Sequence, residues 1–182
     1  DNWKVWLGAK VENYYMLASA PSIYKPMLKG FALGGNDAVY GASTGQGFGA
    51  AWTQSVDDRS QPRWAVSTNY VSKDAGKATD GDGVLTDSQA KWLTKVEYGS
   101  PRWQVSLAVA TEMCDKPSSG SNTETCKAFQ EYYATDKGNN SATGNSTMYS
   151  ARAYWKPEDV GIMPAVQIGY DVKNIDDDDQ AG

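Results

Sequence analysis

The sequence predicts an all-β chain, an antiparallel transmembrane β-barrel with about seven strands within its 182 residues. Three observations lead there. First, run after run alternates apolar and polar residues with a period of two, and a strand points successive side chains to opposite faces. Second, mean hydropathy is only −0.58 although Trp occurs 7 times and Tyr 11 times. Low hydropathy with many amphipathic rings is ordinary for a wall in which only every second residue meets lipid. Third, the connections alternate long and short. That is expected when the two ends of a sheet face different compartments, and a soluble sandwich has no reason to enforce it.

Composition excludes several classes. The net charge of −5 offers no basic stripe for nucleic acid. No apolar run reaches the length of a membrane-crossing helix. Histidine is absent, which removes Ser-His and Cys-His catalysis and His-based zinc sites. Neither a catalytic residue nor a metal or cofactor is expected, and the chain is read as no enzyme. No signal peptide is visible, so the chain reads as mature or as an excised piece.

Trp3 to Glu12 is the first strand, with Trp3, Val5, Leu7, Ala9 and Val11 on one face and Lys4, Lys10 and Glu12 on the other. Residues 13–46 do not alternate; Pro21, Pro26 and the Gly34-Gly35 pair break regular structure, with room for one helical turn. Ile23, Met27, Leu28 and Phe31 make this long inserted loop too apolar to be freely solvated. It packs either over or into a barrel, or as the core segment of a soluble domain.

Alternation resumes over 47–56 (Phe48, Ala50, Trp52, Val56) and over 64–73 (Trp64, Val66, Thr68, Tyr70). Asp80-Gly81-Asp82-Gly83 in the next loop fails the later positions of a calcium loop and reads as solvated. The clearest hairpin is 90–113. Trp92, Val96, Trp103, Val105, Leu107 and Val109 share its apolar face, Lys91, Lys95 and Glu97 take the polar one, and Leu93 breaks the pattern.

The turn Pro101-Arg102-Trp103 repeats Pro62-Arg63-Trp64 one hairpin earlier, placing two Trp on one edge. Residues 113–147 form a long polar loop, in which Cys114 and Cys126 are expected to pair as a disulfide. Such a loop closure stabilises by roughly 3 kcal/mol. The last strands are 148–155, with Arg152 opposite its apolar face, and 165–172, with Asp171 opposite. The acidic run Asp176 to Asp179 reads as a solvated loop.

Trp3, Trp64, Trp103 and Trp155 therefore form the expected aromatic girdle. Lys4, Lys10, Glu12, Lys91, Lys95, Glu97, Arg152 and Asp171 form the expected pore lining. Charges of both signs on one face imply water beside them, because unpaired burial is prohibitive. An odd strand count does not close an antiparallel barrel, so the chain is expected to be a segment of a larger one.

The stretches Glu12-Asn13-Tyr14-Tyr15-Met16-Leu17, Pro21-Ser22-Ile23-Tyr24-Lys25-Pro26, Phe31-Ala32-Leu33-Gly34-Gly35 and Tyr40-Gly41-Ala42-Ser43-Thr44-Gly45 resemble cyanobacterial outer-membrane porins. Those are relatives of the carbohydrate-selective porins and carry a surface-layer-homology domain. The resemblance implies a barrel of about sixteen strands, often a homotrimer, in the bacterial outer membrane among lipids and lipopolysaccharide. It also implies passive diffusion of small hydrophilic solutes or inorganic ions, with Tyr15 to Leu33 in a loop near the constriction. Two other readings stay open: a structural or adhesive outer-membrane barrel, and a soluble β-sandwich that binds a ligand.

Overall fold

Among the described residues, seven antiparallel strands form one open sheet in the order of the chain. They are β1 (Trp3–Glu12), β2 (Thr44–Thr53), β3 (Arg63–Ser72), β4 (Ala90–Gly99), β5 (Trp103–Cys114), β6 (Gly144–Trp155) and β7 (Val166–Asp177). A 3-10 turn at Asn13–Tyr15 follows β1. The computed structural model describes residues 2–19, 39, 44–72, 90–114, 144–158 and 165–177. Cys126 lies outside these, and with it the expected disulfide; so does the Asp80–Gly83 loop.

Strand registers lock the alternation into two faces. One, here the inner face, carries Ala51, Ser67, Asn69, Lys95, Glu97, Ala108 and Ser150, all buried. The other carries Leu7 at 86% exposure, Leu107 at 67%, Ile168 at 66% and Tyr170 at 72%. Polar inside and apolar outside inverts the arrangement of a water-soluble domain.

β7 runs on to Asp177, so that Asp176 and Asp177 of the acidic run pair through their backbones with Asn145 and Gly144 instead of lying in a loop. The structure corrects the sequence reading at three further places. In β1 a bulge sets Ala9 and Lys10 against a single residue of β2, between the pairs Gly8↔Gly47 and Val11↔Gly45. An extra residue flips everything beyond it to the opposite face. Val11 thus joins the inner face beside Gly47, and Glu12 pairs with Thr44 on the face of Phe48 rather than that of Lys4. Thr44 Oγ1 donates to Glu12 Oε1 at 3.3 Å.

Second, β2 runs 44–53 and not 47–56, because the Gln54 amide donates to the Trp64 carbonyl at 2.8 Å and starts the turn there. Third, β6 begins at Gly144, within the expected polar loop, since Asn145, Ser146 and Thr147 pair with Met113, Glu112 and Thr111. Ladder bonding needs backbone groups and no apolar side chain.

The short turns are stapled by polar groups. Ser100 N donates to Trp103 O at 2.7 Å and Lys156 N to Arg102 O at 2.6 Å. In the β2–β3 turn the Ser60 amide (2.9 Å) and hydroxyl (2.7 Å) both donate to Asp58. The amide bond and then the hydroxyl hold that carboxyl below its ordinary range. Gly99 permits the tightest turn: a Cβ there would strike the Trp103 carbonyl oxygen and lie 2.6 Å from Gln104 Cα. Gly99→Ala is expected to cost ~1–3 kcal/mol by overpacking against backbone, read as a lowered urea midpoint with an unchanged slope.

Candidate functional site: the charged inner face

Among the described residues, three pairs of opposite charge line the inner face between β4 and β7. Lys91 on β4 lies across from Glu112 on β5, with Nζ to Oε2 at 3.9 Å. Lys95 pairs with Glu97 two residues along the same strand, at 2.5 Å, with side chains 0% and 5% exposed. Arg152 on β6 donates from Nη2 to Asp171 Oδ2 on β7 at 2.7 Å, with side chains 3% and 0% exposed. Its Nε donates to Ser150 Oγ at 2.9 Å. A buried charge is tolerated only when paired and hydrogen-bonded. Pairing with an opposite charge helps to accommodate these six groups.

The segment after β1 reaches over Lys91, Lys95 and Glu97. Asn13, at the start of the 3-10 turn, donates from Nδ2 to Asn69 Oδ1 at 2.7 Å and to the Lys91 carbonyl at 3.1 Å. Asn69 answers, its Nδ2 donating to the carbonyls of Asn13 (3.1 Å) and Met16 (3.0 Å). Gly49 makes room, since a Cβ there would fall 3.0 Å from Met16 Cβ and 2.9 Å from Asn69 Cβ. The Ala18 amide then donates to Ser67 Oγ at 2.8 Å. Ser19 ends the run as a hub, its hydroxyl 2.9 Å from Glu97 Oε2, 3.2 Å from Lys95 Nζ and 3.1 Å from Gln104 Nε2.

An apolar cluster anchors the same segment. Tyr14 and Leu17 pack with Val39, Leu93, Ala108, Ala110 and Met148. Leu93, the lone break in the alternation of β4, is thereby explained: it meets the returning chain. Residues 13–19 thus fold back over the inner face of β3–β6. Asn69→Ala would strand two carbonyls and the Asn13 amide, a penalty of ~1–3 kcal/mol. Faster hydrogen exchange at residues 13–19, with β4 and β5 still protected, is the expected reading.

Of the other expected inner-face residues, Lys4 lies opposite Ala51 on the inner face of β1 and is exposed, and Lys10 is exposed in the bulge. Glu12 is on the opposite face. The structure adds residues that the sequence reading passed over: Glu112, Asn13, Asn69, Ser19 and Gln104, with Lys173 on the same face by its pairing with Met148. Glu112 was findable, because the turn at 100–102 fixes the hairpin register and sets it opposite Lys91. Ser19 had no signal in the sequence, as its partners lie on β4 and β5.

At the short-turn end the outer face carries a row of rings. Trp3 pairs with Trp52, Trp64 with Tyr98, and Trp103 with Trp155. Trp64 and Tyr98 centroids are 4.8 Å apart, Tyr98 and Trp103 5.7 Å. Trp3, Trp64, Trp103 and Trp155 lie in this row, and Trp52 and Tyr98 join them. Trp52 was missed because its strand ends three residues sooner than the alternation indicates. Further along the strands, Phe48, Tyr70 and Trp92 form a second cluster with centroids 5.7–6.1 Å apart.

No family model matches the chain, and no curated protein or solved structure matches it. No helix among the described residues is long and apolar enough to cross a membrane, which says nothing of strands.

Proposed function

We propose that this sheet is part of the wall of an outer-membrane barrel that lets small hydrophilic solutes or inorganic ions diffuse passively. The observation that carries the reading is the distribution of charge between the two faces. From Trp3 to Leu7, Phe48 to Trp52, Trp64 to Tyr70, Trp92 to Tyr98, Trp103 to Met113, Tyr149 to Trp155 and Val166 to Val172, every outer-face residue is uncharged. Each large apolar side chain left in water forfeits ~1.5–3 kcal/mol; lipid removes that cost. Strands of ten residues are about 33 Å long, and a tilt near 40° makes that about 25 Å of height, the hydrocarbon span. The Trp row then sits at one interface, as an aromatic girdle would.

Lipid also requires that edge strands find partners. In an odd-numbered antiparallel sheet β1 and β7 run the same way, so closure takes an odd number of further strands. A wall of about sixteen, a homotrimer, and a bacterial outer membrane with its lipopolysaccharide are the setting we propose. Within it Lys4, Lys91, Lys95, Glu97, Arg152 and Asp171 face the interior, where paired charges set the field felt by a permeating ion.

Planar-bilayer recording of the full-length protein tests this. Stepwise, ohmic conductance is expected, and a protein that inserts without conducting would remove the transport reading. One observation favours a second reading, a plugged structural or adhesive barrel: residues 13–19 already cover the inner face of β3–β6. That alternative predicts insertion and heat-modifiable migration with no conductance.

A further inference from the structure

The outer face is not smooth. On β6 the outward residues Ala151 and Ala153 are small, while Val96 and Leu107 on one side and Ile168 and Tyr170 on the other are large. The result is a trench of about 600 Å³ whose lining reaches Trp64, Tyr98 and Ile168 near the short-turn end. It continues along the strands into a second hollow of about 360 Å³ that shares Val96, Leu107, Ala151 and Tyr170 and ends at Thr94, Val109 and Tyr149. From Tyr98 to Thr94 that is about 14 Å of strand at ~3.4 Å per residue. Ala151 and Ala153 of β6 are the small residues of its lining, which also takes in Val105 and Leu107 of β5.

Beyond the short-turn end of the trench lie two cations and one carboxylate, a net positive charge. Arg102 and Lys156 are the turn residues directly beyond the paired Trp103 and Trp155, held side by side by the Lys156 N–H bond to the Arg102 carbonyl. Arg102 also pairs with Glu158 at 2.6 Å, but both side chains are solvent-exposed, and such a pair contributes little. Its guanidinium can therefore take a phosphate, for which its planar fork is suited.

We propose that this trench holds one acyl chain of an anionic glycerophospholipid, with the headgroup phosphate against Arg102 and Lys156. The proposal rests on the membrane reading above and adds a specific lipid site to it. A zwitterionic lipid fills the trench equally well but lacks net charge for the two cations, so selectivity comes from the turn and capacity from the alanine floor.

The test is native mass spectrometry of the full-length protein in detergent, titrated separately with dipalmitoyl phosphatidylglycerol and dipalmitoyl phosphatidylcholine. One phosphatidylglycerol per chain is expected to be retained at least about fivefold more tightly than phosphatidylcholine, the effect of one Lys or Arg beside an anionic headgroup. Lys156→Gln with Arg102→Gln is expected to bring the two lipids level while keeping the site. Ala151→Leu with Ala153→Leu fills the trench and is expected to abolish it for both lipids.

Equal retention of both lipids by the native protein, or an undiminished preference in the alanine variant, overturns the proposal. So does a dimer that the alanine variant dissociates, since a second copy would then occupy the trench. Should the alanine variant fail to fold by circular dichroism, the two exposed turn substitutions decide alone. Flotation with vesicles separates the levels: a protein that does not insert sinks the membrane reading and this site together. One that inserts without lipid preference sinks the site only.

Discussion

Leu107→Arg is expected to destabilise the protein by ~2–4 kcal/mol when it is folded into a bilayer, and by no more than about 0.5 kcal/mol when it is held in water. Leu107 lies on the outer face near the middle of β5 and is 67% exposed. An exposed leucine on a soluble sheet is a neutral place for a charge. The same position at the centre of a membrane is among the worst. Urea titration of the full-length protein in vesicles, scored by the migration of folded and unfolded forms, gives the number directly. Ser67→Arg on the inner face is the wrong control, because Ser67 is buried beneath Ala18. Glu158→Arg, on an exposed turn, is the right one.

Arg152→Met should be worse still, at ~3–5 kcal/mol, because it leaves the Asp171 carboxylate buried without its cation. Asp171→Leu should cost a similar amount from the other side. The double variant is the informative one: replacing both partners with apolar groups removes the uncompensated charge, so its loss should be far smaller than the sum of the two. The coupling measured in that cycle separates a structural ion pair from two independent pore charges, which would add. If the sheet lines a conducting wall as proposed, Arg152→Met protein that does fold in bilayers is expected to shift toward cation preference, since its inner face has lost one positive charge.

The sheet itself was legible because a period of two is a local property, visible wherever the two faces of a sheet differ in polarity. Trp92, Val96, Trp103 and Leu107 announce their face unaided. Pairing across a short turn was legible for the same reason, as Glu112 opposite Lys91 illustrates. What the sequence hid was whatever depends on a third element. Ala9-Lys10 carries no mark of a bulge, since the extra residue is defined only against Gln46 of the next strand; the parity of Val11 and Glu12 was lost with it. Ser19 and Asn13 look like ordinary loop polar residues, and only the return of the chain over β3–β6 brings them to Glu97 and Asn69. Leu93 was visible as an anomaly, and its cause lay 76 positions upstream at Leu17.

The strict order β1 to β7 also has a consequence for assembly. Every pairing joins chain neighbours, and three of the six are closed by the shorter links at 54–62, 100–102 and 156–165. Loop-closure entropy grows as the logarithm of length, so joining strands across 115–143 costs about 2 kcal/mol more than across 100–102. The hairpins β2–β3, β4–β5 and β6–β7 therefore form first, on the microsecond scale of hairpins, and β1 docks as a single strand. Each hairpin presents an apolar face before its neighbours arrive. A chaperone or membrane surface that meets this chain in transit meets three amphipathic hairpins, and the side chains of the 13–19 segment are the last to find their places.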